Sequence, residues 1–379
     1  MTGSGPAAAS RTHRSRIRVG ALAPLSAPGW TEAGRHLLAG LELAAEEINA
    51  NGGIAGQALE LLVRDTAASP DKARRAVDEL RGAGIVALAG EYHSVAARPA
   101  AARAVALGLP FLCSSAVLDA LVDEPTNLIA RLAPPQSRGW RVYADFLLRQ
   151  GHRRVAVVSQ ASAYWSAGVE VLGPQFEAAG GAVVQFDAGT ISAPVLAREV
   201  VRQGVSALLV LAGFPEPAMS LVECIRQDPR SAGLLIGAPA GQPEFAGWLR
   251  VLGEKGAATP FLRYLPEKLG PGGRKVETML RRRLRQPPSF VAFEGYDTML
   301  VIAHGLRSGA LAASGPPGPW AGVAADGSRG PIQFCRSPAT GVWEWASGPI
   351  QIVERDPARP GFFRVLHQDD QGRMPEVVR

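Results

Sequence analysis

Residues 41–65 read LELAAEEINANGGIAGQALELLVRD, and this stretch decides the fold. Leu41, Ala44, Ala45 and Ile48 recur at helical spacing. Asn51, Gly52 and Gly53 supply a left-handed stop, and Leu59, Leu61 and Val63 alternate as a half-buried strand does. Preceded by a strand over Ile17 to Ala23 and a loop from Pro24 to Gly34, the segment completes one βαβ unit. The cycle repeats: a helix over Pro70 to Arg81, a buried strand over Ile85 to Ala89 ending in Gly90, an alanine-rich helix over Val95 to Leu107 and a strand over Pro110 to Cys113. Short apolar strands separated by helices of about a dozen residues predict a parallel sheet covered on both faces.

At Arg131 to Gln136, RLAPPQ, two prolines interrupt the rhythm and pre-set extended backbone suited to a crossing. It then restarts with helices over Trp140 to Gln150, Ala167 to Ala179, Val195 to Gln203 and Pro217 to Gln227, alternating with strands over Arg154 to Ser159, Ala182 to Phe186, Ala207 to Ala212 and Leu234 to Gly237. Pro260 to Leu265 reads as a return crossing, Gly272 to Leu284 and Phe290 to Ser308 as helices, and Pro349 to Glu354 with Phe362 to Leu366 as late strands. A chain of 379 residues exceeds what one core usually serves, so two lobes are expected. Periodicity alone also allows two independent domains.

Composition narrows the function. Cys113, Cys224 and Cys335 lie far apart with no metal-ligand spacing, which predicts no zinc site and no disulfide framework; all three read as small apolar residues. The net charge of +6 is spread along the chain, which argues against a nucleic-acid partner. Two basic clusters stand out. Arg11, Arg14, Arg16 and Arg18 fall on the leader, expected to be disordered, and Arg281, Arg282, Arg283 and Arg285 fall at a helix end, where cations suit the dipole and a solvated face is expected. The leader MTGSGPAAASRTHRSR lacks the apolar run of a secretory signal, and no stretch reaches the roughly 18 apolar residues of a membrane span. Residues 1–16 are therefore expected to be a disordered leader, with a cytoplasmic location if Met1 is the true start. There is no Gly-x-Gly-x-x-Gly, GxxxxGK[ST], GxSxG or HExxH motif, and the six histidines show no ligand spacing, so neither an enzyme nor a cofactor or metal is expected.

In open α/β sheets, ligands bind beyond the carboxyl ends of the strands. That points to the loops 24–34, 90–94, 114–119, 160–166, 213–216 and 238–244. Trp30 in the first suits an apolar ligand or a lid. In the second, GEYHS, Ser94 either faces a ligand at a helix N-terminus or caps its own helix, and His93 is the one histidine placed for chemistry.

From Ala23 to Asp65 the pattern APLS-P…G…G…A…EIN-NGGI-G…LEL…D resembles the opening of the type I periplasmic binding proteins, in particular the branched-chain amino acid and amide receptors. The resemblance extends over nearly the whole chain. It implies two doubly wound, Rossmann-like α/β lobes joined by three hinge crossings, with residues 17–134 plus 261–345 in one lobe and 135–260 plus 346–379 in the other. It also implies a periplasmic location, a small organic ligand between the lobes and a permease partner if the chain is exported. Gly90, Tyr92 and Ser94 match a Gly-x-Tyr-x-Ser run of the amide-sensing members. Ser115, Ala116 and Val117 fall on the family's "SPxAT" loop, with Val117 replacing its threonine; Tyr164 falls on the "YG" loop, with Trp165 replacing its glycine; Phe214 sits where an aromatic wall residue is common.

The decisive departure is IGAPAGQPE, residues 236–244. Amino acid receptors carry there an acid that pairs with the ligand's α-ammonium, and Pro239 or Ala240 stands in its place; Glu244 and Glu91 are out of register. An unpaired buried ammonium costs several kcal/mol. The expected ligand is thus an amide, a carboxylate or an aromatic compound, with an α-amino acid disfavoured. The expected function is the receptor component of an ABC transport system, the alternative a cytoplasmic amide-type sensor on the same fold.

Overall fold

The computed structural model describes residues 16–312 and 317–369. The leader through residue 15, part of the 314–319 tract and residues 370–379 lie outside the described residues. The first five strands are β1 (Ile17–Ala23), β2 (Leu59–Asp65), β3 (Ala87–Gly90), β4 (Phe111–Cys113) and β5 (Ile129–Arg131), with helices α1 (Thr31–Ala50), α2 (Pro70–Gly82) and α3 (Ser94–Ala106) between them. After α4 (Gln136–Arg149) come β6 (Arg154–Ser159), α5 (Ala163–Ala178), β7 (Ala182–Asp187), α6 (Ala193–Arg202), β8 (Ala207–Leu211), α7 (Ala218–Gln227), β9 (Leu235–Gly237) and α8 (Ala246–Leu252). The chain returns through β10 (Phe261–Arg263), α9 (Pro271–Leu284), α10 (Phe290–Arg307), β11 (Ala324–Gly327), β12 (Gly330–Arg336) and β13 (Trp343–Trp345), and finishes on β14 (Gln351–Asp356) and β15 (Arg359–Gln368).

The first sheet has the order β11-β12-β13-β5-β4-β3-β1-β2, the second β7-β6-β8-β9, and a small third sheet β10-β14-β15. β1 to β5 are parallel, and so are all four strands of the second sheet. The order reverses beside β1 in the first sheet and beside β6 in the second, which leaves a crevice at each switch point. The chain leaves the first sheet after β5, returns to it by way of β10, and leaves it again after β13 for β14 and β15 of the third sheet.

The deciding stretch forms as its residues dictate. Gly52 (φ +91°) and Gly53 end α1, Gly53 N–H donating to Ile48 O (2.9 Å) and Gly52 N–H to Asn49 O (3.1 Å), the paired bonds of a Schellman stop. Asn49 then clamps the start of β2 through both the N–H and the carbonyl of Leu59. α1 starts ten residues before Leu41, so the loop after β1 is 24–30, shorter than the sequence reading by four residues that belong to the helix. Its buried face meets α10 through two glycines: a Cβ on Gly40 would lie 2.0 Å from Ala292 O, and one on Gly295 2.2 Å from Leu37 O. That contact draws the late helix α10 back onto the first sheet.

β11, β12 and β13 have no counterpart in the sequence reading. β13 pairs parallel with β5, and β12 and β11 follow antiparallel, extending the first sheet at one edge. Their residues alternate irregularly between exposed and buried, so no period marks them. Three further expectations are corrected. Arg16 and Arg18 are not free on a leader; both pair with Glu60, Arg18 from within β1. The basic end of α9 is not all solvated, since Arg283 bridges Glu42 and Glu46 of α1. Of the cysteines only Cys113 is buried, and Cys335 is exposed.

Candidate functional site

A cavity of about 280 Å³ lies between the two sheets, walled by loops that follow β1, β3 and β4 on one side and β6, β8 and β9 on the other. It has room for on the order of ten water-sized groups. The wall from the first sheet carries Trp30, Tyr92, His93, Ser94, Ser115 and Val117; the wall from the second carries Ser162, Tyr164, Trp165, Phe214, Ala240 and Gln242. Tyr264 and Phe290, from the return crossing and the start of α10, close one end as an edge-to-face pair with centroids 5.2 Å apart.

The first wall is held by buried polar groups behind it. Glu91 is fully buried; its Oε1 accepts from the N–H groups of Tyr92 and His93 (both 2.9 Å) and its Oε2 from the Thr66 hydroxyl (2.7 Å). Burial pushes its carboxyl up to about 7. His93 Nε2 accepts from Trp30 N–H (3.0 Å), and burial pulls this imidazole down to about 4, so it is neutral and fixes the loop that carries Trp30. Ser94 Oγ accepts from Leu118 N–H (3.2 Å), tying α3 to the 114–119 loop. Arg131, with no exposed surface, donates to Val117 O (3.1 Å) and Leu118 O (2.7 Å) and pairs with Glu344. A second ionic group lies further back: Arg329 pairs with Asp297 (2.8 Å) and Glu294 (3.3 Å), all three fully buried. Burial raises Glu294 to about 7, and the Ser115 hydroxyl lies beside it without a well-formed hydrogen bond. Burial also holds the Tyr92, Tyr164 and Tyr264 hydroxyls above their usual range, so all three are protonated.

The second wall is built of rings. Trp30 reaches across the cleft to stack on Phe214 (centroids 4.7 Å, 28°) and to lean on Phe245 (4.5 Å, 48°), while Tyr92 meets it edge-on at 5.8 Å. Tyr164 and Trp165 form a further pair at 4.7 Å. Two acids also join the lobes. Glu32 accepts from the N–H groups of Ala246 (3.1 Å) and Gly247 (3.2 Å), and Glu244, paired with Arg263, accepts from Phe290 N–H (3.0 Å). The cleft is closed.

Two helices begin at the cavity from opposite sides, α3 at Ser94 and α5 at Ala163, and they touch. The first N–H groups of a helix have no partner within it and carry partial positive charge. Ser162 caps one α5 amide, that of Trp165 (3.1 Å). Among the residues lining the cavity there is no Asp, Glu, Lys or Arg. The arrangement can therefore receive a carboxylate or carbonyl oxygen at the helix starts and planar or apolar bulk between the rings.

Of the residues singled out in the sequence, Trp30, Tyr92, His93, Ser94, Ser115, Val117, Tyr164, Trp165, Phe214 and Ala240 all line this cavity. Ala116 does not. Its carbonyl turns back to accept from Cys113 Sγ and its N–H donates to Glu91 O, so it braces the loop from behind. Ser162, Gln242, Tyr264 and Phe290 were missed. Gln242 sits in a loop already singled out, and Glu294 and Asp297, two acids in the apolar run FVAFEGYDTMLVIA, were a legible sign of buried charge.

Two doubly wound lobes closed over a cavity define a hinged binding protein. The chain matches the periplasmic binding protein family over residues 16–324 and belongs to it. It is 33% identical over 160 residues to Leu/Ile/Val-binding protein homolog 7 of Brucella melitensis, an alignment covering 41% of this chain and only 36% of that protein. Among solved structures, an ABC transporter substrate-binding protein from Sphaerobacter thermophilus superposes with a TM-score of 0.77 at 20% identity, over 93% of this chain and 98% of that one. A solute-binding protein of an ABC transporter from Rhodopseudomonas palustris, in complex with p-hydroxybenzoic acid, gives 0.77 at 17% identity over 93% and 97%. A leucine-binding protein from Thermotoga maritima gives 0.75 at 17% over 93% and 98%.

Proposed function

We propose that this chain is the solute-binding component of an ABC transport system, closing residues 17–134 plus 261–345 against 135–260 plus 346–379 over a small organic carboxylate or amide with aromatic or apolar bulk. The observation that carries the ligand class is the cavity lining, rich in rings and free of acidic side chains, with two helix starts facing it. An α-ammonium brought there would lose its water without gaining a carboxylate, a cost of several kcal/mol. A carboxylate would meet unpaired N–H groups and two helix dipoles instead. Solved structures that hold p-hydroxybenzoic acid and benzoate share this fold and support this reading. We read the cavity as binding and not catalytic, because His93 spends its Nε2 on Trp30. The working location would be outside the cytoplasm, with the closed surface offered to a permease. No helix among the described residues is long and apolar enough to cross a membrane.

The test is a thermal-shift titration with benzoate, isobutyramide and leucine. A ligand at 100 times its Kd stabilises by about 2.7 kcal/mol. Stabilisation by benzoate or isobutyramide and none by leucine is expected; stabilisation by leucine alone contradicts the ligand class.

A further inference from the structure

Gln242 lines the cavity with 1% of its surface exposed. Its Nε2 donates to Ala212 O at 3.2 Å, and that bond fixes which way the amide faces, since the reversed amide would set Oε1 against another carbonyl oxygen. What remains is Oε1, buried and without a partner. Two other lining residues also carry buried unpartnered polar atoms, Trp30 Nε1 and Ser115 Oγ. The indole N–H can only donate and the hydroxyl can turn either way, so Gln242 Oε1 is the one fixed acceptor of the three.

We infer that Gln242 is a specificity-determining residue that selects ligands bearing a hydroxyl or amide N–H, which donates to its Oε1. This rests on the small-organic-ligand reading above. A buried acceptor left unmet when the cleft closes keeps its full desolvation cost. A site built around such an atom discriminates strongly against an analogue of equal shape that lacks the donor, far more than an apolar wall discriminates a methyl group. A carboxylate facing Oε1 would be repelled, so an acidic ligand must keep its charged end toward the starts of α3 and α5 and its donor toward Gln242.

Calorimetric titration of the whole chain with 4-hydroxybenzoate, 4-methoxybenzoate and benzoate tests the assignment. The hydroxy compound is expected to bind at least tenfold more tightly than the methoxy compound, and Gln242→Met should bring that ratio near one. Equal affinities in the parent, or a preference that survives Q242M, overturn it; if Q242M does not fold, the parent ratio decides. If no benzoate binds, the aromatic-acid reading falls, and isobutyramide against N,N-dimethylisobutyramide decides the donor claim: tighter binding of the primary amide sustains it, and equal or no binding overturns it.

Discussion

The two walls of the cavity are made of different material. On the first, nearly every lining residue is tied down by a buried polar group behind it: Tyr92 and His93 by Glu91, Ser94 by Leu118 N–H, and the 114–119 loop by Arg131. On the second, rings from Tyr164, Trp165 and Phe214 do most of the lining, with Gln160 Oε1 accepting from Gly213 N–H and Gln242 anchored to Ala212 as its polar fixings. Hydrogen bonds are directional and rings pack over a range of angles. On the proposed function, the difference suits the first wall to fix a polar head group and the second to accommodate the rest of the molecule. Trp30 belongs to the first by sequence and to the second by contact, so it couples the two.

If the first wall depends on its buried anchors, breaking one should cost most. Arg131→Met strips Glu344 of its ion pair, leaving it the Thr340 hydroxyl, and leaves the Leu118 carbonyl unmet, while Val117 O keeps the Gln136 N–H; a loss of about 3–5 kcal/mol is expected in a denaturant titration. Trp30→Ala removes three ring contacts, two of them across the cleft, and should lower stability by about 2 kcal/mol while weakening benzoate binding at least tenfold; unchanged binding would separate the walls that Trp30 is held to couple. Glu32→Ala removes two charge-assisted bonds that close the lobes without touching the lining, about 1–2 kcal/mol in all. Small-angle scattering should then report a larger radius, with benzoate restoring compactness, whereas an unaltered profile would deny Glu32 its role in closure.

The smallest effect is a pair of opposed pH slopes within the first wall. Glu91 is raised to about 7, so the folded chain holds an extra proton above the unfolded value; its contribution is complete below about 4.5 and fades as pH rises through 7. His93 is lowered to about 4, so the unfolded chain binds more protons between 4 and 6.5; stability from this group is complete above 6.5 and lost as pH falls through 4. Glu91→Gln should therefore steepen the rise of stability with pH between 5 and 6.5. His93→Gln should flatten it. Denaturation midpoints across that range check both, and parallel profiles for parent and variants would mean that neither group is desolvated as the geometry requires.

Much of this was legible in the sequence because the parallel strands and their helices carry strong periods. Ile17–Ala23 and Arg154–Ser159 are strands to the residue, the alternating Leu59, Leu61 and Val63 fall in β2, and the Asn51-Gly52-Gly53 stop behaves as its φ angles demand. The missed elements lack such a period: β5 and β13 are three residues each, and β11 and β12 have mixed exposure. The loops that line the cavity could be found because they follow strand ends; Ala116 was included through the family's "SPxAT" loop, and its backbone braces that loop from behind. Tyr264 comes from the return crossing and Phe290 from the start of α10, and their place at the cavity depends on how the lobes close, which no local pattern encodes. The anchors were harder still. Arg131 opens the RLAPPQ crossing in the sequence, and it becomes an anchor only once β5 is seen in the middle of a sheet.

The division of labour between the walls is tested most directly by a crystal structure of the chain with 4-hydroxybenzoate. The carboxylate should lie against the N–H groups at the starts of α3 and α5, near Ser94 and Ser115, with the ring between Trp30, Tyr164 and Phe214. A carboxylate lodged among the rings, or a ligand held outside this cavity, would contradict it.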